Sequence, residues 1–366
     1  MNTNRHRRQL LLGTAAAVSQ AFIPGFARAQ APHVDAPVVD TLTVRVLTDS
    51  SYDTPRVGSH KLVKTKRMPP LGPGRKGFHN EWGLALAIES RVGSDTRHML
   101  LDFGFTPDAL MNNLAYMGQD PAKFQHFVVS HGHGDHWGGL VGFVEKNRAK
   151  LPQDMVLHIG GEDLFCARSR SRTPGGHLTD ADVLDRRDLE RLKVKVVTCE
   201  KPTVVGHAFT TGWIPRQSFE TVQGPLPMVQ YFQANGLGCN IADANAKAQG
   251  QPTDDAHIHE HATCFNVKDR GLVVISSCGH AGIINSSRRA LEVSGMNRLH
   301  CAMGGFHLLG SNADYLRKTM EEFKALNVDV LVPMHCSGPS LIALLNSEMA
   351  DRVITSTPGT EFVFGA

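Results

Sequence analysis

The chain has 366 residues, of which 41% are hydrophobic and 20% are charged, and its 38 basic and 35 acidic residues give a formal net charge of +3. This length is enough to bury one large core. The nearly balanced charge argues against a nucleic-acid-binding protein, which would normally be strongly basic.

The first 29 residues have the features of an export signal. The pair Arg7-Arg8 precedes an apolar, alanine-rich stretch, and an A-R-A sequence ending at Ala29 supplies the small residues of a cleavage site. A glutamine and a proline interrupt the apolar stretch, which is too short for a transmembrane helix. We therefore expect a twin-arginine (Tat) signal at 1–29, cleaved near Ala29, that uses the Tat export machinery and delivers a periplasmic protein with no stable membrane anchor. A retained anchor is the alternative.

Cleavage would also change the charge. Residues 1–29 hold four arginines and no acidic residue, so residues 30–366 would carry a formal net charge of −1. A segment rich in proline and basic residues, Lys61–Lys76, is interpreted as a long flexible loop near the site entrance or as an ordinary solvated connection.

Short apolar runs predict a series of strands, and two amphipathic segments predict helices. The predicted strands are Leu42–Leu47, Gly83–Glu89, His98–Asp102, Phe127–Ser130, Met155–Ile159 and Val194–Thr198. The predicted helices are Pro107–Met117 and Ala313–Leu326, and a further helix is expected from Gly138.

A sequence of six residues, HGHGDH at 131–136, directly follows the predicted strand Phe127–Ser130. Imidazole nitrogens and carboxylates are the ligands that a borderline cation such as zinc prefers, and four of them this close can serve two neighbouring ions. Gly132 and Gly134 would let the backbone turn sharply enough for alternate side chains to converge. The sequence therefore predicts a catalytic metal site at the carboxyl end of a buried strand.

The H-x-H-x-D-H pattern resembles the signature of the metallo-β-lactamase superfamily, and Asp102 resembles the aspartate that ends an earlier strand and supports the ligand loop there. The resemblance implies an α/β fold, a four-layer αββα sandwich formed by residues 30–366 as a single domain. It implies two divalent metal ions at one edge of the sandwich, zinc first, with manganese or iron as alternatives. The expected ligands in this motif are His131, His133, Asp135 and His136.

Three later motifs narrow the resemblance to the branch that includes the dihydropterin ribofuranosyl-aminobenzene phosphate synthases. They are SCGHAGIIN at 277–285, GGFHL at 304–308 and PMHCSG at 333–338. Asp49 and residues 81–89 match the amino-terminal strands of that branch more loosely. The similarity covers roughly residues 42–345.

One ligand of the superfamily pattern is missing. Where many members place another histidine, this chain carries Trp213, so the ligand is absent or is supplied by His177, His207 or His307.

Three histidines alternate a little further along the chain. His257, His259 and His261 would lie on one face of a strand. That face has the donors to bind a metal ion, but an exposed polar face is the preferred interpretation.

Cys278 follows the apolar run Leu272–Ser276, where the superfamily commonly places a bridging aspartate or a metal-binding cysteine. A thiolate is a strong zinc ligand, which makes Cys278 a candidate. In the alternative interpretation, Ser277–Gly282 is a turn whose backbone N–H groups face an anionic substrate, with His280 pointing inward.

Two more histidines end predicted strands. His335 follows Val328–Met334 and occupies the position of the superfamily's last histidine ligand. His307 follows a glycine-rich strand and is interpreted as a metal ligand or a proton donor, with a core histidine as the alternative.

Seven cysteines show no small-scaffold spacing. Five of them are interpreted as buried small hydrophobes, with an isolated disulfide among them as the alternative. They are Cys166, Cys199, Cys239, Cys264 and Cys301.

The predicted function is hydrolysis of an ester, lactone or phosphoester bond in a small, anionic or neutral substrate. Two ions would acidify a bridging water and so provide a hydroxide nucleophile. Asp135 is expected to ligate the second ion and orient that hydroxide, and His307 or His280 to protonate the leaving group.

Two alternatives belong to other classes. The close branch implies transfer of a dihydropterin-methyl group from its pyrophosphate to an aromatic acceptor, which periplasmic export would disfavour because such precursors belong to the cytoplasm. The second alternative is a non-catalytic receptor that keeps the fold and binds a ligand in the pocket. The sequence leaves the oligomeric state open.

Overall fold

A computed structural model describes residues 32–51, 60–65, 77–169, 182–222, 228–230, 237–239 and 253–365. The predicted export signal, most of the predicted loop at 61–76 and His177 lie outside the described residues. The described helices are α1 (Pro107–Tyr116), α2 (Gly134–Trp137), α3 (Leu140–Asn147), α4 (Arg186–Arg191), α5 (Ile283–Ser294), α6 (Ala313–Ala325) and α7 (Pro339–Glu348), with short 3-10 helices at Pro121–Lys123, Glu162–Phe165 and His335–Ser337.

The described strands fall into two large sheets and one small one. They are β1 (Val38–Val39), β2 (Thr41–Thr48), β3 (Val63–Thr65), β4 (Ala85–Val92), β5 (Asp95–Leu101), β6 (His126–Val129), β7 (Val156–Ile159), β8 (Ala167–Ser169), β9 (Lys195–Thr198), β10 (Thr203–Val205), β11 (Ala208–Thr210), β12 (Met228–Gln230), β13 (Thr253–Asp254), β14 (Thr263–Val267), β15 (Gly271–Ser276), β16 (Leu299–Gly305), β17 (Val330–Met334) and β18 (Thr360–Gly365).

The order of one large sheet is β3-β18-β2-β4-β5-β6-β7-β9, and that of the other is β10-β11-β14-β15-β16-β17 with β1 beside β14. Both mix parallel and antiparallel pairs: β5, β6, β7 and β9 run parallel in the first, and β15, β16 and β17 in the second. All six predicted early strands overlap observed strands, and both predicted helices are confirmed. The helix expected from Gly138 is present as α3, which begins two residues later, at Leu140.

Side-chain alternation divides the core into layers. In β6, Phe127 and Val129 pack against α1 and α3, whereas Val128 faces the other sheet. In β15, Val274 packs toward α5 and α6, whereas Val273 faces the first sheet. Since successive side chains of a strand point to opposite faces, each sheet is covered by helices on one side and by the other sheet on its second side. This is the four-layer αββα sandwich, as predicted.

A three-stranded sheet, β13-β12-β8, lies beside the sandwich. Cys166, next to β8, forms a disulfide with Cys239. Both cysteines were expected to be free hydrophobes, and for this pair the alternative of an isolated disulfide is correct. Cys199, Cys264 and Cys301 are free and buried, as predicted.

Two further expectations concern the segment 61–76 and a membrane-spanning helix. Val63–Thr65, in the predicted loop, instead forms β3 and pairs with β18. No helix among the described residues is long and apolar enough to cross a membrane.

Candidate metal centre

The candidate ligands follow the carboxyl ends of strands from both sheets. β6 leads into His131, β15 into Cys278 and His280, β16 into His307, and β17 into His335. The carboxyl ends of parallel strands meet at one edge of a sheet, where α/β proteins commonly bind ligands. The sandwich therefore gathers at one edge side chains that are up to 204 positions apart in the sequence, from His131 to His335.

The two glycines of the HGHGDH motif serve close approach rather than an unusual backbone angle. Neither is among the glycines with positive φ. A Cβ at Gly132 would lie 2.6 Å from Nη1 of Arg168, and a Cβ at Gly134 would lie 2.6 Å from the carboxylate of Asp182. The two glycines are therefore required because a side chain would not fit at either position, and not because the backbone there adopts a positive φ.

One cluster of donors consists of His131, His133 and His280. Nε2 of His131 lies 3.1 Å from Nδ1 of His133. The ring of His280 lies 4.8 Å from that of His131 and 4.6 Å from that of His133, between centroids. His280 thus lies beside this pair and offers a third donor atom.

A second cluster consists of Asp135, His136 and His335. Nε2 of His335 lies 3.3 Å from Nε2 of His136 and 3.3 Å from Oδ2 of Asp135, and His136 Nε2 lies 3.9 Å from the same oxygen. Two nitrogens around one tetrahedral zinc are about 3.3 Å apart. The spacing of this cluster therefore fits a single cation.

Cys278 lies between these clusters. It groups with His131 and His136 on one side and with His307 and Cys336 on the other. Its Sγ lies 3.5 Å from Nδ1 of His307 and 3.2 Å from Sγ of Cys336. Cys336 belongs to the quoted PMHCSG motif but was not singled out from the sequence.

Hydrogen bonds to oxygen fix the orientation of three of the imidazoles. Asp102 accepts from Nδ1 of His136 at 2.8 Å and from Oγ of Ser130 at 2.7 Å. Ser130 Oγ lies 3.0 Å from Nδ1 of His131, and Ser50 Oγ lies 2.7 Å from Nδ1 of His335. Each ring thereby presents Nε2 to the cluster, which is how proteins commonly orient metal-binding histidines.

The residues present fit divalent cations. Within the described part of the chain, both ring nitrogens of His280, Oδ1 of Asp135 and Nε2 of His133 are buried without a hydrogen-bond partner. Such atoms are costly to bury unless something satisfies them. Facing nitrogen atoms 3.1–3.3 Å apart, as in His131–His133 and His136–His335, also need a proton or a cation between them.

Burial and charge separate the pKa values of these groups. Burial lowers the pKa of His133 to about 4, and burial together with neighbouring imidazoles holds the pKa of His131 and His280 well below the usual value. Burial also opposes protonation of His136, but the carboxylates of Asp135 and Asp102 raise its pKa to about 9. The first cluster is therefore neutral and ready to ligate at pH 7, whereas a cation in the second must displace the proton of His136.

The turn after Cys278 does not present free N–H groups. The carboxylate of Glu260 accepts from the backbone N–H groups of Gly279, His280 and Ala281 at 2.8, 3.0 and 2.5 Å. Glu220 accepts from the N–H groups of Ile284 and Asn285, at the start of α5. The interpretation of these N–H groups as an anion-binding site is therefore wrong, whereas His280 points inward, toward His131 and His133, as that interpretation expected.

The three alternating histidines differ from expectation. His257, His259 and His261 lie in the loop between β13 and β14 rather than in a strand, and their exposed fractions are only 2%, 0% and 1%. The interpretation as an exposed polar face is wrong.

Two other candidates for the missing ligand, His207 and His307, lie apart from the His131/His133 pair. His207 is buried between Ser90 and Asp95, and among the described residues it belongs to no donor cluster. His307 joins Cys278 and Cys336 instead. Trp213 is half-exposed.

Sequence reasoning missed an aromatic residue beside the donors and the backbone conformation of three residues that it had named. Trp82, 43% exposed, lies 4.8 Å from the ring of His335 between centroids. Asp102, His307 and His335 all have positive φ, between 48° and 58°. Backbone strain of this kind in non-glycine residues commonly occurs at functional sites, but the sequence pattern carries no signal for it.

Comparisons with known proteins show which family and which relatives this chain is similar to. The profile of the metallo-beta-lactamase superfamily matches residues 85–210. The 7,8-dihydropterin-6-methyl-4-(beta-D-ribofuranosyl)-aminobenzene-5'-phosphate synthase of Methanocaldococcus jannaschii is 22% identical over 262 residues, 71% of this chain and 82% of that protein. An uncharacterized protein of the same organism is 25% identical over 271 residues, 72% of this chain and 86% of that protein.

A solved structure extends the similarity to the fold. The metal-dependent hydrolase Tm1679 of the beta-lactamase superfamily has a TM-score of 0.63 and 20% sequence identity, covering 89% of this chain and 100% of that chain. At this identity the likeness concerns the arrangement of sheets and helices.

Proposed function

We propose that this chain is a member of the metallo-β-lactamase superfamily and a metal-dependent hydrolase of a small ester, lactone or phosphoester. The superfamily profile at residues 85–210 and the αββα fold support this. The observation that carries the proposal is the pair of adjacent donor clusters, His131/His133/His280 and Asp135/His136/His335. Divalent cations held there would lower the pKa of a shared water and polarise a carbonyl or phosphoryl oxygen of the substrate.

The protein's own groups have distinct roles in this proposal. Asp135, with Oδ1 buried and unpartnered among the described residues, orients the attacking water and accepts its hydrogen bond. His307 is only partly buried and lies 4.1 Å from the ring of His280 between centroids, so it can reach a leaving group and protonate it. His280, enclosed by His131 and His133, serves as a ligand rather than as the acid.

The first test is the metal content of the mature chain, measured by elemental mass spectrometry after desalting. We expect about two tightly held ions in the native protein and about one in Asp135→Asn, because the second cluster loses a carboxylate ligand. Asp329→Asn, at a carboxylate that pairs with His300 and Arg298, is the matched control and should retain both ions.

The second test is turnover. The metal-loaded protein is assayed against panels of phosphoesters, lactones and carboxylic esters, and His307→Gln should lower kcat by about 10²–10⁴-fold on any substrate found, with unchanged metal content. Inactivity of the fully loaded protein against all three classes would refute hydrolysis.

A second candidate activity comes from the named relative. The synthase of M. jannaschii covers 71% of this chain, and this supports group transfer from a dihydropterin-methyl pyrophosphate to an aromatic phosphate-bearing acceptor. Release of pyrophosphate that depends on the acceptor would establish this reaction. No release from the loaded protein would exclude it.

We also propose that the chain is exported by the Tat pathway to the periplasm. The Arg7-Arg8 pair supports this, and so does the Cys166–Cys239 disulfide, since stable disulfides are typical of oxidising compartments. Replacement of both arginines by lysine should leave the protein in the cytoplasm in a cell-fractionation experiment. Export that is unchanged in a Tat-deficient strain would contradict the proposal.

A further inference from the structure

We propose that a third divalent cation binds beside the two clusters, between His133, Asp255 and His257. The donor atoms of these three side chains lie within 4.8 Å of one another. Nε2 of His133 and Nε2 of His257 each lie 3.8 Å from Oδ2 of Asp255. This site goes beyond the proposed hydrolase and does not depend on its substrate.

The donor set matches that of the second cluster. Both consist of two imidazoles and one carboxylate, and the distances of 3.8 Å here lie within the range of 3.3–3.9 Å found around Asp135. To reach the separation of about 3.3 Å that a tetrahedral cation requires, each ring would have to move by about half an ångström toward Asp255. Imidazole and carboxylate together suit zinc and its first-row neighbours.

A second observation points to a ligand at this position. Both ring nitrogens of His257 and Nε2 of His133 are buried and unpartnered among the described residues. The side chain of His257 is 0% exposed, and its ring stacks on His280 at 4.1 Å with an angle of 9° between the planes. A neutral imidazole in such a place leaves polar atoms unsatisfied, and a cation at Nε2 would satisfy one of them.

The carboxylate is fixed before any cation arrives. Arg168, 3% exposed, donates from Nε to Oδ2 of Asp255 at 2.6 Å, and the backbone N–H of His257 donates to Oδ1 at 2.9 Å. His257 itself has φ of 51°, a strained backbone conformation of the kind that is common at functional sites. The positive guanidinium also repels a cation, so the third site should be the weakest and fill last.

His133 connects the third site to the first cluster. Its Nδ1 faces Nε2 of His131 at 3.1 Å while its Nε2 faces Asp255. With a cation on each nitrogen, the ring proton of His133 is displaced to solvent. An anionic substrate would then meet a third positive charge beside the first two.

The test is equilibrium dialysis of the metal-depleted mature protein against Zn²⁺ and, in parallel, Co²⁺, with bound ions counted at each free concentration. We expect two tight ions and a third, weaker one. His257→Phe keeps a ring over His280 but removes both nitrogens, so it should lose only the third ion, with its dissociation constant raised by about 100-fold or more.

His257→Gly tests the same site without strain, because glycine adopts a φ of 51° freely. It should also bind two ions. His261→Gln is the matched control, since this buried histidine of the same loop belongs to no donor cluster among the described residues and should leave three ions.

Saturation of the wild type at two ions, or a third ion retained by both His257 variants, would overturn the inference. Loss of two ions in these variants would also overturn it, since His257 would then belong to the first cluster. Three ions without hydrolysis would refute only the proposed function, and hydrolysis with two ions would refute only the third site.

Discussion

Asp102 orients one histidine of the first cluster and one of the second. Its Oδ1 accepts from the backbone N–H of Ser130 at 2.8 Å, and its Oδ2 accepts from Ser130 Oγ and from His136. It is 0% exposed and has φ of 58°. A single buried carboxylate therefore orients one ligand directly and His131 through a serine.

Asp102→Asn should weaken metal binding without removing a ligand. An amide has only one acceptor oxygen, so His136 or Ser130 loses its partner, and affinity should fall by about 10–100-fold. Competition with a chromophoric chelator measures this. Asp108→Asn, at an exposed carboxylate paired with Lys146, is the control; equal affinities of the Asp102 variant and the wild type would contradict the role of Asp102.

His261 predicts how the stability of the metal-free protein depends on pH. It is 1% exposed, and burial lowers its pKa to about 4, against an ordinary value of 6.5. Because the unfolded chain binds the proton first, the contribution is fully present above pH 6.5 and is lost as the pH falls from 6.5 to 4. A buried histidine whose pKa is lowered this far contributes on the order of 3 kcal/mol to the free energy of unfolding.

The measurement is urea unfolding in chelator at pH 7.5 and pH 5. The wild type should lose stability at pH 5, and His261→Phe should lose less. His136, whose pKa is raised to about 9, acts in the opposite direction, because its contribution is lost as the pH rises from 6.5 to 9. The same loss in the variant as in the wild type would show that His261 does not account for the effect.

At the scale of elements, loops after strands carry the site, and a neighbouring loop supports them. The sequence predicted β6, β15 and β17 and the residues that follow them, because apolar runs and their ends are local signals. The positions of Glu260, Asp255 and Arg168 depend on contacts between the loop at 255–262 and segments about 90–125 residues earlier or about 20 later. Such long-range contacts leave no periodic pattern in the local sequence, and the alternation of histidines at 257–261 alone predicts an exposed strand.

Glu260→Ala should loosen the turn that carries His280. Three backbone N–H groups would lose their acceptor, and each buried donor without a partner costs about 1–3 kcal/mol. Urea unfolding of the metal-free protein should show a loss of several kcal/mol. Glu292→Ala, at an exposed residue of α5, should change stability little; an equal effect of the two substitutions would refute the role of Glu260.

At the scale of the whole molecule, a disulfide and an ion pair join the segment around β8 to residues that follow it by 73 and 87 positions in the sequence. Cys166 is bonded to Cys239, and Arg168, two residues after Cys166, is bound to Asp255. Arg168 also donates to the backbone oxygens of Asp163, Leu164 and Cys166. The disulfide thus fixes the segment whose arginine positions the loop at 255–262.

The double variant Cys166→Ser/Cys239→Ser should be less stable than the wild type. The bond spans 73 residues, and closure of a loop of this length in the unfolded chain is worth about 4 kcal/mol in the loop-entropy model. Urea unfolding under non-reducing conditions measures the loss. Cys301→Ser, at a free buried cysteine, separates the effect of the bond from that of a polar atom in the core.

The pairing of β18 with β2 has a consequence for the timing of folding. Glu361 lies opposite Arg45 in this pair and accepts from it across 316 residues of sequence. β2 in turn pairs with β4. The sheet whose strands β5 and β6 lead into Asp102 and His131 therefore lacks an inner strand, β18, until residues 360–365 have left the ribosome. Such non-local pairing makes folding slow, because loop closure precedes any compensating contact. The loops that carry the first candidate ligands are therefore synthesised long before the sheet that positions them is complete, and in the proposed metal centre we expect stable ion binding only after synthesis has ended.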